Sequence, residues 1–376
     1  MAGIYIHIPF CKRICSYCDF YKSTVLTLIP DYLTALEKEL GIRRSYLGKE
    51  TIETIYIGGG TPSLLTTGQL AGIFENVSRN FTLASDCEIT LEANPDDLTP
   101  EYLGLIRKDT PVNRLSIGIQ SFHDDDLLFL NRRHNASQAI SCISNSQSLG
   151  FHNLSIDLIY GIPGMNTDQW KRNLEQAFSL EVQHLSAYHL TIEKGTMLHK
   201  KLGKGEVKPV QEDESIRQFA VLRKMAAEHA FIHYEISNLA RDGFFSRHNS
   251  NYWNEKKYLG AGPAAHSYNL TSRQWNFADL KKYIRAISSE EPFFESESLD
   301  DTTRFNERLM VTLRTMQGLD TEGVLQDFGE ERYRAFEKSA LPHISGGYLL
   351  REGIYYRMTE QGWMVSDWII ADLMQV

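Results

Sequence analysis

The stretch IYIHIPFCKRICSYCDF, residues 4–20, runs from a β-branched strand pattern straight into Cys11, Cys15 and Cys18. It then has Phe20 where a fourth thiol would stand. Three of the chain's five cysteines fall within eight positions, a density that unrelated core packing does not produce. An odd, clustered set argues against a disulfide scaffold and for a metal site in a reducing compartment, so the chain is expected in the cytoplasm. A closed zinc site needs four ligands and none other is near in sequence; His7 lies on the strand itself. Three thiolates suit a 4Fe-4S cluster with one iron left open, and zinc stays the alternative reading.

Outward from this loop, strand and helix patterns alternate to about residue 192. IYIHI, IETIYI, EITLEA, RLSIGI, LSIDLIY and LSAYHLTI have strand character. Between them IPDYLTALEKELGIRR, TTGQLAGIFENVSRNF and TDQWKRNLEQAFSL read as amphipathic helices, the last with Thr167 or Asp168 as its N-cap. Repeated βα units predict a parallel sheet with right-handed crossovers. Six units are too few for a closed eight-stranded barrel, which leaves a six-unit partial barrel or a doubly wound sheet. Either architecture gathers its ligands at the carboxyl ends of the strands.

After residue 193 the alternation breaks. EKGTMLHKKLGKGEVKPVQEDE (193–214) reads as a surface connection, with HKKLGK a solvated loop, and ESIRQFAVLRKMAAEHAF (214–231) as a helix. Several helices, a hairpin in GYLLREGIYYRMTEQG (347–362) and a final helix in VSDWIIADLM (365–374) suggest a small winged-helix-like domain. The expected division is a core over 1–232, a connecting segment over 233–300 and the C-terminal domain over 301–376. With 39 basic against 48 acidic residues, the net charge of −9 disfavours a nucleic-acid partner. No apolar run approaches the roughly 20 residues of a membrane span. The start, MAGIYIHIPF, lacks a basic n-region before its apolar stretch and is expected to be a strand rather than a signal peptide.

Further motifs fall on strand ends. GGGTPS (58–63) follows the second strand; Ser63 in place of a third glycine and Pro62 argue against a dinucleotide loop, a plain tight turn is the alternative, and close backbone approach to a ligand is the better reading. Glycines there also let Gly59 and Gly60 present backbone groups to a ligand. Glu92, Gln120 and Asp157 end later strands, and Arg132 sits in the helix pattern LNRRH. Each alone is an ordinary end-of-strand hydrogen bonder; four on one rim suggest a charged ligand. Cys87 and Cys142 are isolated and receive no role.

CxxxCxxC after a first strand, with Tyr17 before the last cysteine, resembles the radical S-adenosylmethionine superfamily, in which that molecule chelates the open iron. The whole motif set is similar to the family of oxygen-independent coproporphyrinogen III oxidase and its HemW-type heme chaperone relatives. The resemblance implies a six-unit partial (β/α) barrel and S-adenosylmethionine contacts at Tyr5, Gly59, Gly60, Thr61, Glu92, Gln120, Arg132 and Asp157. The oxidase pattern carries CxxxCxxCxC and a longer leader; Phe20 and the early cysteines match the chaperone branch. RHNSNYWN (247–254) resembles a heme-associated motif of that branch, which implies heme contacts at His248, Tyr252 and Trp253, with His266 as a rival ligand. The implied partners are heme as cargo and a heme-accepting protein such as a membrane respiratory enzyme. Radical decarboxylation of coproporphyrinogen stays the alternative function.

Overall fold

Alternating aliphatic residues build six consecutive strands: β1 (Ala2–Ile8), β2 (Ile52–Gly59), β3 (Leu83–Ala93), β4 (Arg114–Gln120), β5 (Leu154–Tyr160) and β6 (His184–His189). The structure is a computed structural model and describes residues 1–375. On β1, Ile4, Ile6 and Ile8 are fully buried beneath the helices, while Gly3, Tyr5 and His7 occupy the alternate positions. The same two-residue period sets Glu88, Thr90 and Glu92 of β3, and Arg114, Ser116 and Gly118 of β4, against the apolar face. The sheet is therefore greasy on the helix side and polar on the other.

All five pairings from β1 to β6 are parallel, and the strands lie side by side in chain order. A doubly wound sheet reverses its order at a switch point; this one does not, so its crossovers all progress one way, as in a partial barrel. The helices Ile29–Ile42, Thr67–Asn80, Pro100–Asp109 and Ala136–Ser148 pack each on the next outside it.

Both edges are covered. β7 (Ile232–Glu235) and β8 (Asn238–Ala240) add to β6, while β9 (Lys257–Ala261), β10 (His266–Tyr268), β11 (Ser272–Asn276) and β12 (Phe294–Ser298) add to β1. Residues 233–300, expected as a connection, thus supply strands to both ends of one sheet. Covering edges removes the unpaired backbone that an open partial barrel would expose.

The remaining chain has its own apolar core, including Phe305, Leu309, Phe336 and Ile370. β13 (Leu319–Asp320), β15 (Tyr355–Met358) and β14 (Leu349–Glu352) form a three-stranded sheet there, with the anticipated hairpin joining the last two. Phe219 packs against both cores.

Two local expectations are corrected. The helix Thr167–Ser179 is capped by Asn166, whose side chain accepts from Gln169 N–H; Thr167 and Asp168 fall in its first turn. The connection after β6 contains a helix, Met197–Gly203, capped by Thr196 and anchored by the buried Leu198. Thr196 accepts from His199 N–H, a cap that the lysine-rich composition hides.

Candidate cluster and ligand site

The cysteine loop leaves β1 and returns to it: Cys11 N–H donates to Ser23 O at 3.0 Å, and Ser23 N–H donates to Pro9 O. Inside the loop, Ser16 N–H donates to Leu130 O, Asn131 donates to Ile14 O at 2.7 Å, and Leu198 N–H donates to Ser16 O. Backbone bonds at its base and on both flanks hold the loop over the barrel mouth. Cys11, Cys15 and Cys18 are unpaired thiols and line one cavity of about 1230 Å³.

Each thiol has a polar attendant. The Thr61 hydroxyl donates to Cys11 Sγ at 3.5 Å and Arg132 Nη1 donates to Cys15 Sγ at 3.3 Å. Lys22 Nζ donates to the carbonyls of Cys18 and Phe20, which holds its charge beside Cys18. Burial pushes the Cys11 and Cys18 thiols up, while the Thr61 hydroxyl and the Lys22 ammonium pull back toward the thiolate. Among the described residues, no three His, Cys, Asp or Glu side chains converge tightly enough to hold a single ion. The thiols stand around a space, and this donor set fits a multi-iron cluster whose corners lie apart.

Gly60 and Gly59 are required by crowding. A Cβ on Gly60 would lie 2.7 Å from Phe10 O, and Gly59 has φ +106 with the His7 ring 2.5 Å from its Cβ position. Their N–H groups, expected to face a ligand, are already spent: Gly59 donates to Glu92 Oε2 at 3.0 Å and Gly60 to Ile8 O at 2.7 Å. The turn therefore serves first to press β2 against the root of the cysteine loop.

Glu92 also accepts from Tyr56 Oη at 2.8 Å. Burial, with the nearby Asp157 charge, lifts its carboxyl to about 7. Asp157 rises to about 6, again through burial, with Ser186, Arg114 and Arg132 pulling the other way. Gln120 ends β4 with φ 68, a strained backbone for a side-chain-bearing residue, and lines the cavity. Arg132 is not in a helix; it lies in the loop between helices Asp124–Phe129 and Ala136–Ser148. Its Nη2 donates to Asn94 Oδ1 and Gly118 O, both at 2.6 Å, so the guanidinium braces β4 to the cysteine loop. Among the described residues, its buried Nε has no hydrogen-bond partner. Thr61, Glu92, Gln120, Arg132 and Asp157 share the cavity lining with Gly59 and Gly60; Tyr5 does not. Tyr5 Oη instead meets His7 Nδ1 at 3.0 Å, with its ring near Tyr56 and His248.

Residues 5–177 match the radical SAM superfamily. The chain is 36% identical to the heme chaperone HemW of Bacillus subtilis, over 98% of this chain and 97% of that one. The chain belongs to the HemW family. It is also 31% identical to HemW of Lactococcus lactis, over 96% of this chain and 94% of the relative. Among solved structures, coproporphyrinogen III oxidase (HemN) of Escherichia coli has the same fold, with a TM-score of 0.87 at 20% identity. That superposition covers all of this chain and 90% of HemN.

In this HemW-family chain the RHNSNYWN segment forms the helix Arg247–Trp253 at the opposite, amino end of the strands. Glu88 on β3 accepts from the N–H groups of Arg247 and His248, a carboxylate at the positive end of the helix. His248 is 1% exposed. Its Nδ1 lies 2.8 Å from Thr54 Oγ1, its Nε2 lies 2.9 Å from Tyr252 Oη, and its ring stacks on Tyr56. In this structure both His248 nitrogens lie within hydrogen-bond distance of hydroxyl groups, and His248, Tyr252 and Trp253 do not line the cavity, whereas Asn249 of the same helix does. Burial takes the His248 imidazole down to about 3, so it sits neutral as a plug in the barrel floor. His266, the rival, is exposed on β10 beside Trp275 and is also outside the cavity.

Sequence reasoning missed Arg114, Asn94 and His189, which line the cavity of this HemW-family chain. Arg114 is 1% exposed, and its Nε has no hydrogen-bond partner among the described residues. The signal was present in RLSIGIQ, where Arg114, Ser116 and Gly118 share one face.

Proposed function

We propose that this chain is a heme carrier. Cys11, Cys15 and Cys18 hold a 4Fe-4S cluster, S-adenosylmethionine completes its open iron, and heme is passed to an acceptor protein such as a membrane respiratory enzyme. The observation that supports this reading is the single cavity in which the thiols and the C-terminal segment around Trp363–Asp367 meet. Its volume of about 1230 Å³ exceeds the ~300–1,000 Å³ of ordinary small-ligand pockets. A nucleoside ligand beside the cysteines leaves space for a second guest.

For S-adenosylmethionine, the carboxyl groups of Glu92 and Asp157 suit an ammonium and ribose hydroxyls, and the Arg132 guanidinium in the cavity wall supplies the positive charge for a carboxylate. Cluster and S-adenosylmethionine together supply one-electron chemistry when bound. The protein's part is to hold the thiolates, orient the zwitterion and screen the site from water. Among the described residues no helix is long and apolar enough to cross a membrane.

A second reading, oxidative decarboxylation of coproporphyrinogen, draws on the intact thiol set. Against it stands Phe20, 66% exposed on the cavity, where the oxidase pattern has a thiol. Anaerobically reconstituted protein separates the two. Heme should give a stable Soret band that moves to an added heme-free acceptor, with no protoporphyrinogen formed from coproporphyrinogen III. Turnover to protoporphyrinogen would establish the oxidase instead.

A further inference from the structure

Arg114 opens β4 and is among the largest side chains that the fold buries completely, yet it lines the cavity. Among the described residues its Nε has no hydrogen-bond partner and its guanidinium enters no ion pair. Arg43, also buried, is engaged by contrast: its Nη2 donates to Ser267 Oγ at 3.2 Å and to Gln274 Oε1 at 2.8 Å. Thr90 lies opposite Arg114 in the register of β3 and β4, is fully buried, and its hydroxyl likewise lacks a partner among the described residues. A cation taken out of water is costly unless an anion meets it. Two neighbouring polar groups are left unmet on the inner face of the barrel.

The protein groups around Arg114 do not supply the anion. His184 is fixed on both sides, with Nδ1 2.7 Å from Ser155 Oγ and Nε2 2.8 Å from Tyr234 Oη. Burial lifts the Asp157 carboxyl and Ser186, then Arg114, draw it back, but no ion pair forms between Asp157 and Arg114. Ser116, Ser155 and Ser186 complete a polar wall beside the guanidinium. The complementary group is a carboxylate. A planar guanidinium matches a planar, singly charged carboxylate through two parallel hydrogen bonds. A phosphate dianion would bring a second negative charge toward Glu92 and Asp157, which line the same cavity.

We infer that Arg114 is the receptor, inside the barrel, for a carboxylate of a bound guest. The inference rests on the proposed reading for its two sources, the methionyl carboxylate of S-adenosylmethionine and a propionate of heme. The contact is peripheral: it holds an acid group and not the heme iron. Arg132, beside Cys15, is the competing cation for the first source.

Two ligand pairs test this on the anaerobically reconstituted full chain: S-adenosylmethionine against its decarboxylated form, and hemin against hemin dimethyl ester. Within each pair only the acid group differs. Wild type should prefer the acid form of one pair by about 10- to 100-fold, and Arg114→Met should erase that preference, which names the source. Arg114→Lys keeps the charge without the fork and should keep part of the preference. Melts of the guest-free protein give a second readout: removing an unpaired buried charge should leave Arg114→Met at least as stable as wild type. A folded Arg114→Met chain with the wild-type preference in both pairs would overturn the inference. An Arg114→Met chain that does not fold would make the residue a structural one and overturn it too. A wild type that takes up no hemin would overturn the carrier reading and leave the S-adenosylmethionine pair to decide on Arg114.

Discussion

His248 Nδ1 and the Thr54 hydroxyl lie 2.8 Å apart inside the amino end of the barrel, joining the RHNSNYWN helix to β2. Asn251 Nδ2 donates to the same hydroxyl at 3.2 Å. Removing the imidazole leaves a cavity and strands Thr54 and Tyr252. His248→Ala should therefore cost about 2–4 kcal/mol of stability. Thermal melts should show the loss while iron content stays at the wild-type level.

Gly60 has no room for a methyl group, because its neighbours there are the backbone oxygens of Phe10 and Ile8 at 2.7 and 2.8 Å. Backbone cannot swing aside as a side-chain tip can. Gly60→Ala should cost about 1–3 kcal/mol through overpacking and displace the root of the cysteine loop. Iron and sulfide per chain after anaerobic reconstitution should fall well below wild type.

Arg132 reaches Cys15 Sγ, Asn94 Oδ1 and Gly118 O at once, which a planar fork can do and an ammonium cannot. Arg132→Lys should lose most of the cluster occupancy that Arg132→Met loses. Equal occupancy in Arg132→Lys and wild type would mean that charge alone matters there. Ultraviolet–visible absorption of the reconstituted variants reads this directly.

The six strands and their order follow from patterns that local physics enforces: alternation on a half-polar sheet and helices between parallel strands. The strand predicted as LSAYHLTI ends at His189, where the chain turns outward. Cys11, Cys15, Cys18, Glu92 and Gln120 were legible because chemistry and position coincide near the carboxyl ends of strands, whereas Asp157, expected at a strand end, sits mid-way along β5 and still lines the cavity. The packing of His248 was not legible, because a histidine beside aromatics looks alike in sequence whatever its ring touches. Its partners Thr54 and Glu88 lie some 160 to 194 residues away in sequence. Arg132's brace and the edge strands of 233–300 depend on similarly distant partners.

Glu92 carries a pH signature. Its folded pKa of about 7 lies above the unfolded value near 4.3, so the folded chain keeps a proton that the unfolded chain has released. This contribution is fully present below about pH 4.3 and is lost as pH rises through about 7. The buried imidazoles act oppositely: His7 at about 4 and His248 at about 3 lose stability as pH falls below ~6.5. Glu92→Gln should remove the first effect only. The stability difference, wild type minus variant, should decline between pH 5 and 6.5 by on the order of 1 kcal/mol per pH unit, trimmed by the partial opening of Glu92 to the cavity. Urea melts of the cluster-free protein at several pH values check the sign.

The central claim, a three-thiolate cluster with one iron open to S-adenosylmethionine, is tested most directly by Mössbauer spectroscopy of protein reconstituted with iron-57 under anaerobic conditions. Adding S-adenosylmethionine should change the signal of a single iron of the cluster and leave the other three alone. Serine at Cys11, Cys15 or Cys18 should abolish the cluster. Four irons that ignore S-adenosylmethionine, or bound zinc in place of iron, would contradict it.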